Sequence, residues 1–509
     1  MTDPVRIRLE PLGASLEVPP GTPLRDVLFA RGVEFPCGGR GICRGCRVRV
    51  LEGEAPPLPE TTAGLSPAEI AAGWRLACAL RAAGSMTLEV AQWGPVILSD
   101  DTPFAFAPRE GQGIAVDCGT TTLVAQLVDL RTGRVLGVQS SLNPQARYGA
   151  DIMSRIRFAL EKDGLRRLTG LIREEIGRLA AGLGSREVRR VVLVGNTVMH
   201  HLFGGIDVTP LAGAPFRPCR PGPLAFTARD LGWDLPGDPP VHFLPCLGGF
   251  VGSDILAGIL ATGLHESRDL AALVDLGTNG EVVLGTRDRI WAASTAAGPA
   301  FEGARISMGM RAAAGAIAGV SVAGGALRCT VLGGGPPRGI CGSGLVDAAA
   351  AGLELGGIDP SGRLAGGELV LQPPVRITQA DVRELQLAKA AVAAGLRILL
   401  ERAGARAGDV KRLWLAGAFG NTINRASARR IGLLELPIEV IRPAGNTALR
   451  GAKMALFRDD LEYAEVRSRV EHVALAADPR FLDLYAAAMG FPPLGERGPA
   501  SGETPAADR

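Results

Sequence analysis

The stretch "CGGRGICRGC", residues 37–46, places three cysteines and four glycines within ten positions. Cys37, Cys43 and Cys46 follow the spacing C-x5-C-x2-C, and Cys78 supplies a fourth thiol further along the chain. Glycine permits positive φ angles and lets backbone N–H groups approach sulfur closely. The loop is therefore suited to wrapping four thiolates around a metal–sulfur centre.

This spacing lies close to the C-x4-C-x2-C…C pattern of plant-type [2Fe-2S] proteins, with one extra residue in the first interval. The extra residue matches the adrenodoxin-like branch of that group. A structural zinc site and a pair of disulfides are the alternatives. Zinc sites usually use two C-x2-C pairs, and disulfides are rare in cytosolic chains. The four cysteines therefore predict one [2Fe-2S] cluster.

The flanking sequence fits the β-grasp fold of those ferredoxins. Alternating apolar residues predict strands, and a capped apolar period predicts helices. The last of the predicted helices is a short one that delivers Cys78. Residues 1–92 form this predicted domain, with the following segments in order: "VRIRLEP" (5–11), "ASLEVPP" (14–20), "TPLRDVLFARG" (22–32), "CRVRVLEG" (46–53) and "SPAEIAAGWRLACAL" (66–80).

Composition limits the class of protein. The chain has 509 residues, of which 47% are hydrophobic and 21% charged, and its net charge is +3. Such a balance is typical of packed globular protein and does not favour nucleic acid or a membrane surface as partner. No basic segment followed by an apolar run opens the chain, so we expect a cytoplasmic protein. Residues 93–112 are predicted to be a linker and 491–509 a disordered tail.

Two similar phrases follow the linker. "GIAVDCGTTTLVAQLVDL" (113–130) and "ALVDLGTNGEVVLG" (272–285) each place an acid, glycine and polar residues between two apolar strands. Such turns present N–H groups and hydroxyls to an anion, and each aspartate can hold a hydrated Mg²⁺. The repeat predicts a duplicated fold that binds phosphate through the following residues: Asp117, Gly119, Thr120, Thr121, Asp275, Gly277, Thr278 and Asn279.

A third phrase, "RLWLAGAFGNTIN" (412–424), runs from an apolar strand into a glycine-rich turn. Small residues there would let adenine and ribose lie against the backbone, which makes Gly417, Ala418, Phe419 and Gly420 candidates for adenosine binding. The competing nucleotide device is a P-loop, which requires glycine followed by lysine. None of the four lysines follows a glycine. The order of the three phrases instead predicts an ATP clamp made of two hairpins and an adenosine motif.

This order resembles the superfamily of acetate and sugar kinases, heat-shock ATPases and actin, whose ribonuclease H-like lobes close over ATP. The resemblance implies an α+β and α/β multidomain protein with lobe I at 113–267 and lobe II at 268–490. Between the hairpins these proteins place a helix that often positions the attacking water. Asp254 is the only charged residue in the matching stretch "GGFVGSDILAGILATG" and is the candidate for that role, with helix capping as the alternative.

The [2Fe-2S] domain, the linker and the ATPase together resemble the reductive activators of corrinoid-dependent methyltransferases. The resemblance covers residues 5–457 and rests also on further phrases: "NPQARYGADIMSRI", "VGNTVMHHLFG", "AGPAFEGARISMGM", "RGICGSGLVD" and "AGNTALRGA". It implies ATP-dependent reduction of Co(II) to Co(I) on a corrinoid protein, with a low-potential reductase, ferredoxin or flavodoxin as electron donor. It also allows a homodimer.

Several assignments stay open at this point. Gly342, Ser343 and Gly344 of "CGSGLVD" could contact the nucleotide or form a tight packing turn. His200 and His201 are more typical of packing than of metal ligation. A small-molecule kinase with a redox-sensing domain and a redox-gated, actin-like binding module are the alternative functions.

Overall fold

We describe the fold from a computed structural model of the chain. The structure describes residues 4–10, 13–29, 33, 41, 46–90, 102–277, 279–303, 305–458 and 460–493. Cys37, Cys43 and Thr278, which the sequence predicts to be site residues, lie outside these ranges. Within the described ranges, no helix is both long enough and apolar enough to cross a membrane.

In its described residues, the N-terminal domain (4–90) has a five-stranded sheet and three short helices. Its strand order is β2-β1-β5-β3-β4, with β1 and β5 parallel at the centre. Alternation of apolar and polar residues along "VRIRLE" buries one face of β1 against the helices. The elements are β1 (Val5–Glu10), β2 (Ala14–Val18), α1 (Leu24–Phe29), β3 (Arg47–Glu52), α2 (Pro59–Thr62), α3 (Pro67–Ala71), β4 (Trp74–Leu76) and β5 (Met86–Val90).

Lobe I (residues 102–267) is built on a six-stranded sheet of order β10-β11-β9-β6-β7-β8. A 3-10 helix, Pro144–Arg147, follows the third strand of the lobe. The helices α4 to α6 bury their apolar stripes on one face of this sheet. The elements are β6 (Gln112–Cys118), β7 (Thr122–Asp129), β8 (Val135–Leu142), α4 (Ile152–Ala159), α5 (Gly164–Gly182), β9 (Val188–Val194), α6 (Thr197–Gly204), β10 (Leu224–Thr227), β11 (Pro240–Phe243) and α7 (Ser253–Thr262).

Lobe II (residues 268–493) is built on a second six-stranded sheet, of order β21-β20-β12-β13-β14-β22. Two small sheets, β16-β15-β17 and β18-β19, extend it. The elements are β12 (Ala271–Leu276), β13 (Gly280–Gly285), β14 (Ile290–Thr295), β15 (Ala316–Ala323), β16 (Ala326–Val331), β17 (Gly339–Ile340), α8 (Gly342–Glu354), β18 (Glu368–Gln372), β19 (Val375–Thr378), α9 (Gln379–Arg402), β20 (Arg412–Ala416), α10 (Gly417–Thr422), α11 (Arg425–Arg430), β21 (Ile441–Gly445), α12 (Thr447–Ala455), α13 (Asp460–Ser468), β22 (Val470–His472) and α14 (Phe481–Ala487).

The two lobes repeat one pattern, which confirms the predicted duplicated, two-lobed fold. In each lobe an antiparallel hairpin continues into a third strand, and two parallel strands extend the sheet on the other side: β8-β7-β6-β9-β11 in lobe I and β14-β13-β12-β20-β21 in lobe II. Parallel neighbours place the carboxyl ends of β6 and β9, and of β12 and β20, at one edge of each sheet. The two hairpin turns therefore occupy equivalent positions.

Helices α7 and α12 lie between the two sheets and join the lobes. Their apolar residues share one core with residues of both sheets. The helices approach closely at Gly451, where an added Cβ would lie 2.2 Å from the carbonyl oxygen of Ala257. Glycine is therefore required at this crossing, because any side chain would force the two lobes apart.

The N-terminal domain packs on both lobes. On lobe I, Ala146 is buried within the apolar core of the N-terminal domain, and Leu142 packs against the same core. On lobe II, the Arg47 guanidinium donates to the Ser307 carbonyl oxygen, and Arg338 forms an ion pair with Glu89 at 3.0 Å.

Three predictions about local structure are wrong. The segment before Cys78 is not one helix, because α3 ends at Ala71 and β4 (Trp74–Leu76) then pairs with β3. The predicted linker does not remain free in its described part: the ring of Phe106 lies 4.4 Å from that of Phe457. The predicted tail begins too early, since the buried Phe491 donates its N–H to the Pro360 carbonyl at 2.7 Å.

Two glycines on helix α5 give a paired test of the packing in lobe I. A Cβ on Gly177 would lie 2.4 Å from the buried Trp233 ring, whereas a Cβ on Gly170 would meet no atom within 4 Å. We expect Gly177→Ala to lower the free energy of unfolding by about 1–3 kcal/mol, as overpacking does. Gly170→Ala should raise it by up to about 1 kcal/mol through helix propensity. Urea denaturation of both variants measures the two shifts, and equal shifts of the same sign would contradict this packing.

Candidate functional site

The two hairpin turns open onto one cleft between the lobes, which encloses about 910 Å³ of empty space including its open mouth. Asp117 is the penultimate residue of β6, and Asp275 is the penultimate residue of β12. The equivalent topology of the lobes brings both carboxyl groups to the same cleft. The structure also brings the following predicted residues to its lining: Gly119, Thr120, Thr121, Asp254, Gly277, Asn279 and Gly417.

Four acidic side chains lie together in this cleft: Glu281 is buried, and Asp117, Asp254 and Asp275 are half-buried. Burial raises the pKa of Asp117 to about 6, although a hydrogen bond from Asn446 opposes the rise. Burial and then the charge of Asp117 raise the pKa of Asp275 to about 7.

The pKa values of the other two carboxyl groups, those of Asp254 and Glu281, are also raised. Burial, followed by the charge of Asp275, raises the pKa of Asp254 to about 8, and burial with both neighbouring aspartates raises the pKa of Glu281 well above its ordinary value. Among the described lining residues there is no lysine or arginine. Ionised carboxylates in such a place need a cation, because uncompensated buried charge is unfavourable.

Asp254 is the second residue of α7, whose N-cap is Gly252. Its carboxyl Oδ1 accepts a 2.8 Å hydrogen bond from the N–H of Ile255, in the first turn of the same helix. The side chain thus contacts its own helix end and also lines the cleft. Because Gly252 is the N-cap, Asp254 is not the capping residue, and its place in the lining is compatible with the catalytic interpretation.

Of the described residues predicted to bind adenosine, the structure places only Gly417 in the lining of the cleft. Gly417 lines the cleft with φ +83°, and a Cβ there would lie 2.7 Å from Oδ1 of Asp275. Phe419 instead stacks on Phe301 with ring centroids 4.6 Å apart, and Gly420 packs against Leu415. Ala418 belongs to α10, and its side chain lies outside the described part.

Gly342, Ser343 and Gly344 do not reach the described lining of the cleft. They form the buried start of α8, where a Cβ on Gly342 would lie 1.8 Å from the Phe301 carbonyl oxygen. The Ser343 hydroxyl donates to the Ala318 carbonyl at 2.9 Å. These contacts favour the tight packing turn over nucleotide contact, because only glycine allows so close an approach of backbones.

Sequence reasoning missed several lining residues, among them Asn196, Glu281, Glu302 and Asn446. The Asn446 amide donates to Oδ2 of Asp117 at 3.0 Å, and the Asn196 amide donates to the Thr120 hydroxyl at 2.9 Å. A "GNT" tripeptide occurs at 195–197, 420–422 and 445–447, and its first and last copies were the available signal. The asparagines of these two copies, Asn196 and Asn446, each follow a strand and cap the next helix, whereas the middle copy lies inside α10.

The N-terminal domain holds the other predicted site. Cys46 is buried, its carbonyl accepts a 3.0 Å hydrogen bond from Ala77, and the paired strands β3 and β4 therefore bring it next to the turn that carries Cys78. Both cysteines pack at the edge of one apolar core. Cys37 and Cys43 lie outside the described residues. The positions of Cys46 and Cys78, the two predicted ligands that the structure describes, are thus compatible with a thiolate-bound cluster.

His200, His201 and Cys246 are buried close enough for a metal ion. However, Nε2 of His200 bonds the Gly222 carbonyl at 3.0 Å, and Nδ1 of His201 bonds the Thr197 carbonyl at 2.9 Å. The remaining nitrogens face the neighbouring imidazole and the N–H of Arg220. These bonds occupy the ring nitrogens and support the packing interpretation.

Comparison with known proteins assigns all three parts of the chain. Residues 7–83 match the 2Fe-2S iron-sulfur cluster binding domain, residues 112–267 the RACo middle region, and residues 269–498 the C-terminal domain of RACo, the ASKHA domain. These matches confirm an N-terminal ferredoxin-type domain followed by an actin-like domain.

Two curated relatives extend over most of the chain. The corrinoid activation enzyme RamQ of Eubacterium limosum is 35% identical over 436 residues, which cover 77% of this chain and 73% of the relative. The [Co(II) methylated amine-specific corrinoid protein] reductase of Methanosarcina barkeri is 28% identical over 416 residues, covering 74% and 77%.

A solved structure, that of a reductive activator for corrinoid,iron-sulfur protein, aligns with 96% of this chain and 98% of its own at a TM-score of 0.67 and 27% identity. The resemblance seen in the sequence is therefore confirmed along almost the whole chain. This chain belongs to the family of reductive corrinoid activators.

Proposed function

We infer that this protein reactivates a corrinoid protein of a methyltransferase system by ATP-dependent, one-electron reduction of Co(II) to Co(I). The observation that carries this inference is the contact between its two halves. The domain that bears Cys46 and Cys78 packs directly on the lobes that form the acidic cleft, with Ala146 of lobe I buried in its core. The family to which the chain belongs indicates the reaction. The contact gives a physical reason why the cysteine-bearing domain and the two-lobed domain occur in one chain.

The electron half of the reaction is assigned to the four cysteines. Cys37, Cys43, Cys46 and Cys78 would hold the [2Fe-2S] cluster, which supplies one-electron transfer when bound. Clusters of the plant type have reduction potentials near −400 mV. Every 100 mV of uphill one-electron transfer costs about 2.3 kcal/mol by ΔG = −nFΔE. Uphill electron transfer to Co(II) therefore requires an energy source, and ATP bound in the cleft would provide it.

The nucleotide half is assigned to the cleft between the lobes. The turn residues Gly119, Thr120 and Thr121 face the phosphates in this proposal, and Gly417 leaves room for the nucleoside. Mg²⁺ prefers oxygen donors, and the carboxyl groups of Asp117, Asp275 and Glu281, which line the cleft, form such a donor set. These residues would hold the ion, whose charge would offset theirs and that of the phosphates.

Asp254 is proposed to accept a proton from the water that attacks the terminal phosphate. Its pKa, raised to about 8 by burial and by the charge of Asp275, suits proton transfer near neutral pH. Asn446 keeps the Asp117 carboxyl in place through its 3.0 Å hydrogen bond. Opening and closing of the lobes would then change the affinity for the two states of the corrinoid partner.

Other partners complete the proposal. A low-potential reductase, ferredoxin or flavodoxin supplies electrons to the cluster, and the reaction takes place in the cytoplasm, where disulfides are rare and thiolates stay available. Neither nucleic acid nor a membrane takes part. A homodimer remains a proposal that rests on the family resemblance.

Substitutions at the acidic residues should separate binding from turnover. Asp117→Asn removes a carboxylate proposed to face Mg²⁺, so we expect Mg-ATP to bind at least about tenfold more weakly. Asp254→Asn removes the proton acceptor, so we expect the rate of hydrolysis to fall by about 10²-fold or more with little change in binding. Steady-state ATPase kinetics measure both effects, and Asp269→Asn, at an exposed position, serves as the control. Full hydrolysis in both variants would place the chemistry elsewhere.

The acidic cleft should also make Mg-nucleotide binding depend on pH. The folded-state pKa values of Asp117, Asp275 and Asp254 lie near 6, 7 and 8, above the ordinary value of 3.8. In the absence of ligand, the folded state therefore binds more protons at these groups than the unfolded state does. This proton binding stabilises the folded state at low pH, and the contribution is lost as the pH rises through 6 to 8.

Mg²⁺ must displace these protons. Its affinity in the presence of ATP should therefore rise with pH from 6 to 8, by up to about tenfold per pH unit for each proton released. Calorimetric titration of the full chain with Mg-ATP at pH 6 and pH 8, in buffers of different ionisation enthalpy, measures the affinity and the protons released. An affinity independent of pH would contradict a carboxylate site.

The overall function is tested with a corrinoid protein poised as Co(II), a low-potential reductant and Mg-ATP. We expect this chain to drive the visible spectrum to that of Co(I), or to methyl-Co(III) when a methyl donor is present. Cys46→Ser should abolish the reaction by removing a cluster ligand, while ATP hydrolysis without partner persists. Equal reduction in the absence of ATP would show that the cleft has another purpose.

A further inference from the structure

The turn between β6 and β7 is held from behind by a segment of lobe I. The Asn143 amide donates to the Gly119 carbonyl at 2.9 Å, and its backbone N–H donates to the Thr121 carbonyl at 2.9 Å. The Arg155 guanidinium donates to the Thr120 carbonyl between them. Three consecutive carbonyl groups of the turn thus accept hydrogen bonds from residues within the stretch 143–155. In the sequence, this stretch lies outside the phrase 113–130 that predicts the phosphate-binding turn.

Arg155 connects several parts of this segment. Its Nε donates to the Gly149 carbonyl at 2.8 Å, and its Nη1 donates to Oε1 of Gln145 at 3.2 Å. The side chain is 0% exposed, and within the described residues it forms no ion pair. Burial lowers its pKa only to about 10, so it remains charged at neutral pH. A buried cation therefore stands directly behind a turn that is placed to receive phosphate.

The other end of the same segment contacts the N-terminal domain. Gln145 and Ala146 are neighbours in the 3-10 helix Pro144–Arg147. Gln145 faces inward to Arg155, and Ala146 is buried in the core of the N-terminal domain, against which α1 contributes Leu24 and Leu28. Two adjacent residues thus link the turn of the cleft to the domain that carries Cys46.

Lobe II contacts the N-terminal domain independently. Arg47, next to Cys46, donates to the Ser307 carbonyl, and Glu89 pairs with Arg338. The N-terminal domain therefore bridges the two lobes. A change in the distance between the lobes cannot preserve both sets of contacts unless the N-terminal domain moves with one of them.

We propose that Arg155 is a positioning residue that couples phosphate occupancy of the cleft to the placement of the cluster domain, through Thr120 on one side and Gln145 and Ala146 on the other. This proposal rests on the proposed function. Anionic phosphate at the turn strengthens the attraction of the turn for the guanidinium behind it, and the 3-10 helix follows. The cluster domain is thereby held in one placement when ATP is bound and released to another after hydrolysis.

The first test replaces Arg155 by lysine, which keeps the charge but cannot bond the Thr120, Gly149 and Gln145 oxygens together. Hydrogen exchange of residues 24–29 in the full chain is compared with and without the non-hydrolysable analogue Mg-AMPPNP. We expect the nucleotide to change exchange there in the unsubstituted protein and not in Arg155→Lys, while the visible spectrum of the cluster is the same in both. Arg157→Lys, an exposed arginine on the same helix, should behave like the unsubstituted protein.

The second test breaks the link at its other end, away from the cleft. Ala146→Glu should leave ATP hydrolysis without partner unchanged but lower the amount of Co(I) formed per ATP hydrolysed by at least about fivefold, the lower end of typical coupling factors. Ala181→Glu, at an exposed alanine of lobe I, is the matched control. It should leave the ratio unchanged.

The outcomes separate this proposal from the function on which it rests. If the unsubstituted protein forms no Co(I) with ATP, the proposed function fails, and hydrogen exchange still decides the coupling. If Co(I) forms but Ala146→Glu keeps the full ratio, or if nucleotide leaves exchange at 24–29 unaltered in the unsubstituted protein, the coupling through Arg155 is wrong.

Discussion

Four carboxyl groups gathered in one cleft, three half-buried and one buried, set the main constraint on this structure. Asp117, Asp254, Asp275 and Glu281 arrive from four different elements of two lobes, and they repel one another whenever they ionise. Without a cation, their raised pKa values, about 6, 7 and 8 for Asp117, Asp275 and Asp254, let them keep part of their protons near neutral pH. With a cation and phosphates present, the same groups become ligands and acceptors. Binding of a cation and phosphates is therefore linked to the ionisation of the carboxyl groups between the lobes.

The rest of the architecture serves to bring these groups together. Duplication places one hairpin turn in each lobe, and helices α7 and α12 join the lobes through a close contact that only glycine permits at position 451. The N-terminal domain contacts both lobes through Ala146, Ser307 and Arg338. A domain fixed to both lobes is mechanically sensitive to their closure, which gives the fusion of an electron carrier to an ATP clamp a structural reason.

Much of this could be predicted from the sequence because the signals are local. The two acid and glycine turns, the strand leading to Gly417 and the cysteine spacing all lie within short stretches whose periodicity or composition is distinctive. The missed residues depend on tertiary packing. Glu281 enters the cleft because its strand pairs with β12 opposite Asp275, and Asn446 does so because α12 crosses to lobe I. The GSG phrase at 342–344 was ambiguous in the sequence for a related reason, since close backbone packing and phosphate binding favour the same small residues.

The central claim is that the cleft and the cluster serve a single reaction, and linkage offers a direct test. If ATP binding and hydrolysis favour one state of the corrinoid partner, that state must in turn alter the nucleotide equilibrium, because binding linkage is reciprocal. The decisive measurement is the affinity of the full chain for Mg-AMPPNP with the corrinoid protein held either as Co(II) or as methyl-Co(III). The account predicts tighter nucleotide binding with the Co(II) form. Equal affinities with both forms would contradict it.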